Sequence, residues 1–252
     1  MKILVSPTKT MAFDKIPASL YMGMSRPRFE REANLLNQEL KDLDFGALKD
    51  LFKTSDKLTQ KTWDQIRGFN LVASGPALFV FQGEAFKTMD PRQFDPDQLA
   101  FANKTLKIFS GLYGVLRPMD GIKPYLLDFN TPLRRGSKGL KLFWKEKVIS
   151  YFEEQTQKGE VILNLASEEY SSILGPSRLK DQIITLQFRE MVKGKLKNLS
   201  VRAKQARGLF ASEIIQKKLV DANAIKDITL SGYGYEEDLS TKTEWFFIRR
   251  NG

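Results

Sequence analysis

Short apolar runs alternate with amphipathic stretches along the chain. Six runs have the length and composition of buried strands: Lys2–Val5, Ala77–Gln82, Thr105–Phe109, Glu160–Leu165, Gln182–Phe188 and Trp245–Arg249. Two longer stretches, Pro27–Leu43 and Ala203–Leu219, repeat apolar residues every three to four positions and are predicted to be helices. Strands interleaved with helices favour an α/β fold in which helices cover a mixed sheet. Since no repeat or flexible linker divides the chain, we expect a single domain over residues 1–252.

Two shorter helical patterns, Phe45–Phe52 and Asp56–Arg67, flank the turn Lys53-Thr54-Ser55. Serine commonly caps the start of a helix, so Ser55 is expected to begin the second one. The pair resembles a helix-hairpin-helix near residues 45–67, a motif in which backbone N–H groups bind a DNA phosphate. The Gly-hydrophobic-Gly turn of that motif is absent, so a plain helical hairpin packed on the sheet is an equal alternative.

The composition excludes several kinds of chemistry. The chain contains neither cysteine nor histidine, so disulfides, thiolate nucleophiles, zinc–thiolate sites and serine–histidine triads are ruled out. No other catalytic constellation is recognisable, which leaves open whether the protein is an enzyme, and no metal or cofactor is expected. No apolar run reaches the ~18 residues that cross a bilayer, and the N-terminal run is too short for a secretory signal. These features predict a cytoplasmic protein without a membrane partner.

Positive charge is concentrated in two blocks. The formal net charge is +10, and Phe101–Lys147 holds ten basic residues against three acidic ones. Arg189–Lys218 holds nine basic residues against two acidic ones. Such concentration indicates a basic surface built for phosphates or other anions. The alternative is a solvated surface that only keeps the protein soluble.

Two segments that follow predicted strands carry polar side chains. In open α/β sheets, the loops at the carboxyl ends of strands line the ligand crevice. The segment Ser6-Pro7-Thr8-Lys9-Thr10 offers three hydroxyls with an ammonium, which suits a phosphate, although an ordinary turn explains it equally well. The segment Asn164–Tyr170 has the residues of a helix start, and Glu169 is its acid–base candidate if the protein is an enzyme.

Basic residues also occur beside turns and on a helix face. Arg117 and Lys123 flank a predicted turn in the Gly- and Tyr-containing stretch 110–125, where basic and aromatic side chains could hold phosphates and stack on bases. Lys204 and Arg207 are three positions apart on a predicted helix, so they share a face and could bracket one phosphate. The alternatives are a core loop with packed tyrosines and a solvated helix face.

These segments, in this order, are similar to the YaaA family of bacterial peroxide stress resistance proteins. The resemblance spans the whole chain, and its most specific part is the run Ser110-Gly111-Leu112-Tyr113-Gly114-Val115-Leu116-Arg117-Pro118. Further matching motifs are Ser6-Pro7-Thr8-Lys9-Thr10, Ser55-Asp56-Lys57-Leu58, Phe143-Trp144, Asn164-Leu165-Ala166-Ser167-Glu168-Glu169-Tyr170, Lys204-Gln205-Ala206-Arg207-Gly208-Leu209 and Gly232-Tyr233.

The resemblance implies a role in resistance to hydrogen peroxide and a positively charged cleft that binds double-stranded DNA with little sequence specificity. Transferred to this chain, the DNA-binding residues are Lys9, Lys57, Arg117, Lys123, Lys204 and Arg207. Two positions depart from the family pattern: Thr8 replaces an alanine, and Leu126 replaces an arginine that could contact a phosphate. A monomer is favoured.

An enzyme that acts on a nucleotide or nucleic acid in a small anion-binding pocket is the alternative function. Such a pocket should be deep and should shift the pKa of Glu169. A groove for duplex DNA should instead be shallow and roughly 20 Å wide. The shape of the site therefore distinguishes the two functions.

Overall fold

The computed structural model describes residues 1–14, 16–135 and 138–250. Within these residues the strands are β1 (Lys2–Val5), β2 (Gly75–Pro76), β3 (Leu106–Ser110), β4 (Gly114–Leu116), β5 (Gly121–Ile122), β6 (Arg134–Arg135), β7 (Lys138–Gly139), β8 (Ile162–Asn164), β9 (Ile183–Val192), β10 (Lys195–Lys197), β11 (Tyr233–Glu236) and β12 (Glu244–Arg250).

The α-helices are α1 (Ala18–Tyr21), α2 (Glu30–Lys41), α3 (Phe45–Phe52), α4 (Asp56–Arg67), α5 (Ala77–Val80), α6 (Glu84–Met89), α7 (Pro96–Thr105), α8 (Leu140–Gln155), α9 (Glu168–Ser171) and α10 (Ser200–Gln216). Short 3-10 turns connect several of them. Among the described residues, no helix is long and apolar enough to cross a membrane.

The main sheet has eight strands in the order β11-β12-β9-β8-β1-β3-β4, and β10 pairs with β9 as well. Strands β1, β3, β8, β9 and β12 run parallel to their neighbours within this set. The flanking strands β4 and β11, together with β10, are antiparallel to their partners. The predicted α/β class with a mixed, helix-covered sheet is therefore confirmed.

Five of the six predicted strand runs are strands, and the run at Ala77–Gln82 is wrong. Residues Ala77–Val80 form the single-turn helix α5, and all four are buried. A short run that is apolar on every side has no periodicity, so the sequence could not distinguish strand from helix there. The helices predicted at Pro27–Leu43 and Ala203–Leu219 are confirmed as α2 and α10, with shifted ends.

The helix pair at residues 45–67 is confirmed as α3 and α4. The Ser55 hydroxyl accepts a hydrogen bond from the backbone N–H of Leu58, as expected for a residue that begins a helix. Lys53 closes α3 in the left-handed conformation, with φ of 50°. This geometry fits a helical hairpin, and its use as a DNA-binding helix-hairpin-helix stays a prediction.

Helix α8 closes one face of the sheet through Trp144. The indole N–H of this fully buried residue donates a 2.8 Å hydrogen bond to the carbonyl of Gly111. Its ring lies over Gly114, where an added Cβ atom would come within 2.6 Å of it. Gly114 also has a φ of +69°, so both the space and the backbone conformation require glycine there.

Candidate functional site

A first cavity of about 590 Å³ opens at the carboxyl ends of β1 and β8. These neighbouring strands are a switch point, because the chain leaves β1 towards β3 and leaves β8 in the opposite direction, towards β9. Crevices at such points are where open α/β sheets bind their ligands. The segment Ser6–Thr10, after β1, and Ser167, after β8, line this cavity. The site predicted from the loop positions is thus a real concavity.

A second cavity of about 510 Å³ lies beside the first. Strand β9 pairs with β8 only as far as Thr185, whereas β12 follows its other edge from Thr185 to Met191. On the β8 side, pairing resumes at Glu190, which lies opposite Lys197, the last residue of β10. The interval between β8 and β10 leaves Gln187 and Arg189 facing the second cavity. The length of β9 therefore creates this part of the site.

Ser167, Lys204 and Arg207 line both cavities and form the wall that the two cavities share. Lys204 and Arg207 come from the first half of α10, whose Ala203, Ala206 and Phe210 are buried against the rest of the fold. Residues three positions apart share a helix face, so the same amphipathic helix presents both cations to the cavities. We call the two cavities and their shared wall the cleft.

Arg207 is a half-buried cation with one hydrogen-bond donor that has no acceptor among the described residues. Its Nε is buried and has no hydrogen-bond partner among the described residues. Burial lowers the pKa of Arg207 below its ordinary value, and the nearby charge of Arg189 adds to this effect. A buried guanidinium without a partner is costly. An anion bound in the cleft would supply both the missing acceptor and the missing charge.

The first cavity also contains an ion pair and a perturbed carboxyl group. The Lys9 ammonium lies 2.5 Å from a carboxylate oxygen of Asp128. Burial raises the pKa of Glu169, the Asp128 charge raises it further, and Lys9 partly opposes both effects. A carboxyl group with a raised pKa is the kind of group that general acid–base catalysis uses.

Serine hydroxyls join the two loops that meet at the switch point. The backbone N–H of Ser167 donates a 2.8 Å hydrogen bond to the Ser6 hydroxyl, and the two hydroxyl oxygens are 3.2 Å apart. At the end of β8, the side-chain amide N–H of Asn164 donates a hydrogen bond to the Thr185 hydroxyl on β9. The side-chain oxygen of Asn164 accepts a hydrogen bond from the backbone N–H of Ala166. These hydrogen bonds connect the ends of β1 and β8 with β9, and so they hold the rim of the cleft in place.

The structure brings three of the six predicted DNA-binding residues together in the cleft: Lys9, Lys204 and Arg207. Lys57 is exposed on α4 and lines neither cavity. Lys123 also lies outside, where its ammonium donates a 2.7 Å hydrogen bond to the carbonyl of Phe69 and lies 4.9 Å from that ring. The internal contact of Lys123 accounts for its position without a ligand.

Arg117 lies at the opposite end of the sheet, where the parallel strands begin. Gly114 pairs with Ser110 at the carboxyl end of β3, and Leu116 pairs with Ile108 further back. Arg117, the next residue, therefore lies towards the amino ends of the parallel strands, away from the cleft. Its guanidinium donates to an Asp120 carboxylate oxygen at 2.9 and 3.1 Å, so an internal partner already neutralises its charge.

A basic hairpin beside the second cavity was not predicted as an element. Strands β9 and β10 form it, and Asn198 and Ser200 after β10 line the second cavity. Its exposed cations are Lys193, Lys195 and Lys197, and Arg202 is exposed on α10 just after it. The basic block Arg189–Lys218 pointed to this segment, and the turn signal Lys193-Gly194 between two polar runs was the clue to its fold. No group of three or more potential metal-ligating carboxylates occurs among residues 1–14, 16–135 and 138–250.

The fold and the cleft define an α/β protein with a cleft at the carboxyl ends of parallel strands, lined by Lys9, Lys204 and Arg207 among other residues. The family model described as peroxide stress protein YaaA matches residues 1–239. A UPF0246 protein of Desulforapulum autotrophicum is 40% identical over 256 residues, covering 98% of this chain and 99% of that protein. Relatives from Clostridium botulinum (strain Eklund 17B / Type B) and Crocosphaera subtropica are 39% and 33% identical, each over its full length and over 100% and 99% of this chain. The chain belongs to the YaaA family of peroxide stress proteins.

Proposed function

We propose that this member of the peroxide stress family binds double-stranded DNA by its phosphates, along the mouth of the cleft between α10 and the carboxyl ends of β1, β8 and β9. The observation that carries the proposal is the shared wall of the two cavities, where Lys204 and Arg207 lie together and the Nε of Arg207 lacks a partner among the described residues. Phosphate oxygens are charged acceptors that suit such a pair.

The basic hairpin extends the same positive surface away from the cleft. Lys193, Lys195 and Lys197 are exposed, and no acidic residue occurs between Met191 and Ser212 to offset them. A two-stranded ribbon of this kind fits along a DNA groove. Contacts of this type go to the backbone, so we expect little sequence specificity.

A second candidate function is an enzyme that acts on a nucleotide or nucleic acid within the first cavity. The raised pKa of Glu169, beside the Lys9–Asp128 ion pair, is the observation that favours it. The volume of about 590 Å³ also falls in the usual range of small-molecule sites. Both functions use the same cations, so DNA binding is the step to test first.

The test measures fluorescence anisotropy of a labelled mixed-sequence duplex at several salt concentrations. We expect log K to fall with log salt by ~0.9 for each phosphate contacted. The Lys204→Ala/Arg207→Ala variant should lose both affinity and slope. The matched control is Lys158→Ala/Lys180→Ala, which removes the same charge from exposed positions just before β8 and β9. Equal losses in both variants, or no binding by the unchanged protein at low salt, would refute the proposal.

A further inference from the structure

The first cavity is too small for a duplex but large enough for a nucleotide. Its volume of about 590 Å³ lies within the range of roughly 300–1,000 Å³ found for small-ligand sites. A B-form duplex, roughly 20 Å across, cannot enter such a space. If DNA lies along the cleft as proposed above, only a part of it that has left the helical stack can occupy this cavity.

The position of the shared wall predicts how a bound ligand would be oriented. Ser167, Lys204 and Arg207 separate the first cavity from the second, and each cavity exceeds 500 Å³. A phosphate bound at this wall therefore has space for one nucleoside on each side. A strand that passes from one cavity to the other would place its phosphodiester at the two cations.

The first cavity is lined by carboxyl groups as well as cations, unlike a site that binds only an anion. Four cations line it, namely Lys9, Lys87, Lys204 and Arg207. Three carboxyl groups line it too, namely Glu84, Asp128 and Glu169. Carboxylates repel a free phosphate, but they accept hydrogen bonds from the amino and imino groups of bases. The ligand that matches both sets carries an anion at one end and hydrogen-bond donors at the other.

We infer that the first cavity takes one unpaired nucleotide, with its phosphate at Lys204 and Arg207 and its base towards Glu84 and Glu169. This inference rests on the proposed DNA binding and adds the form of DNA that the site prefers. Extruding a base from an intact duplex costs unstacking and unpairing energy, whereas a base without a partner has already lost part of that energy. The protein should therefore prefer duplexes that contain an unpaired nucleotide.

The test compares two labelled duplexes of equal length, one fully paired and one with a single unpaired 2-aminopurine. We expect the second to bind about tenfold more tightly or better, and its 2-aminopurine emission to change on binding. Thr10→Trp should remove this preference, because Thr10 is exposed at the rim of the first cavity and an indole there obstructs it. Ala85→Phe blocks the cavity from α6 and serves if the first variant fails to fold.

The control is Ser150→Trp, an exposed position on α8 that lines neither cavity and should keep the full preference. Equal affinity of the unchanged protein for both duplexes would overturn the inference and leave the proposed DNA binding intact. A preference that survives both blocking variants would overturn it as well, because the nucleotide would then bind elsewhere. No binding to either duplex would overturn the proposed function and the inference together.

Discussion

Arg207 and Lys107 are both cations held inside the fold, but their surroundings differ. Lys107 is only 4% exposed, and its ammonium donates to backbone carbonyls of Lys104 and Leu106 at 2.9 and 3.3 Å. The Nε of Arg207 has no such acceptor among the described residues. The Lys107 ammonium is thus satisfied by backbone carbonyls of the protein itself, whereas the Nε of Arg207 is left without an acceptor among the described residues.

Arg207→Met should stabilise the free protein and weaken its binding to DNA. Methionine keeps an apolar stem similar to that of arginine but removes a buried charged group without an acceptor, so the free energy of unfolding should rise by about 1 kcal/mol. Urea unfolding measures this, and the anisotropy assay measures the loss of binding. The control Lys204→Met should lose binding with stability within about 0.5 kcal/mol of the original, because Lys204 is exposed. A less stable Arg207→Met protein would show that the guanidinium has an internal role.

We expect the free energy of unfolding to rise with pH because of Lys107. Burial, with smaller contributions from Lys2 and Arg117, lowers the pKa of Lys107 from 10.5 to about 8. Between these values the unfolded chain holds a proton that the folded protein has released, so stability increases as pH rises through this window. Relative to Lys107→Met, the unchanged protein should gain about 1–3 kcal/mol across it in urea unfolding. The exposed neighbour variant Lys104→Met should keep the gain, and a Lys107→Met protein that keeps it too would contradict the assignment.

Helices α6 and α10 pack closely enough to set the width of the first cavity. A Cβ atom at Gly208 would come within 2.0 Å of the carbonyl oxygen of Ala85, so only glycine allows this approach. The Thr88 hydroxyl donates to the carbonyl of Gln205, and the Gln205 amide donates to Glu84. The cations of α10 and the lining residues of α6 are therefore held at a fixed spacing.

The β9–β10 hairpin and the α3–α4 helix pair offer alternative surfaces to DNA. The cleft proposal expects Lys193→Gln/Lys195→Gln/Lys197→Gln to reduce the salt slope by ~0.9 for each phosphate that these lysines neutralise. The matched variant Lys53→Gln/Lys57→Gln/Lys61→Gln removes three exposed lysines from the helix pair and should change the slope little. Anisotropy at several salt concentrations measures both. A larger reduction in the second variant would favour the helix-hairpin-helix and contradict the cleft as the main surface.

Elements whose apolar residues lie on one face were predictable from the sequence. Elements with apolar residues on every side were not. Helices α3 and α4 were predicted with their observed bounds because turn residues and a capping serine separate them. Helix α8 was not predicted, although Trp144 and Val148 on it are fully buried. Leu142 is exposed and Phe143 is half-buried on its other sides, so apolar residues occur all around the helix. Without a polar face, no helical period marks the segment.

At the scale of the molecule, the two edges of the parallel strands differ in how their charges are used. At the amino edge, Lys2 pairs with Glu160 and Arg117 pairs with Asp120. At the carboxyl edge, Lys9 pairs with Asp128, but Lys204 and Arg207 have no ion pair among the described residues. The net charge of +10 therefore does not show where the positive charge that lacks an ion-pair partner is located.

Three of the six cations predicted from the sequence line the cleft, and the sequence did not show at which end of the parallel strands each predicted residue lies. Lys9 lies in the segment directly after β1, so its position at the carboxyl end of that strand was predictable, whereas Lys204 and Arg207 lie on α10 and reach the cleft through the packing of that helix. Arg117 also follows a strand, but β4 runs antiparallel to β3, which sends it to the far edge. Arg189 was missed because its role depends on β9 extending past β8. Strand direction and length are set by pairing between distant segments.

The central claim is that DNA lies in the cleft, and photo-crosslinking tests its location most directly. A photoreactive benzoylphenylalanine replaces Ser200, an exposed residue that lines the second cavity, or Ser150, an exposed residue on α8 outside both cavities. Each protein is mixed with labelled duplex DNA at low salt, irradiated and separated on a denaturing gel. We predict a protein–DNA adduct from position 200 and none from position 150. Adducts from position 150 alone, with DNA bound equally by both proteins, would contradict the account.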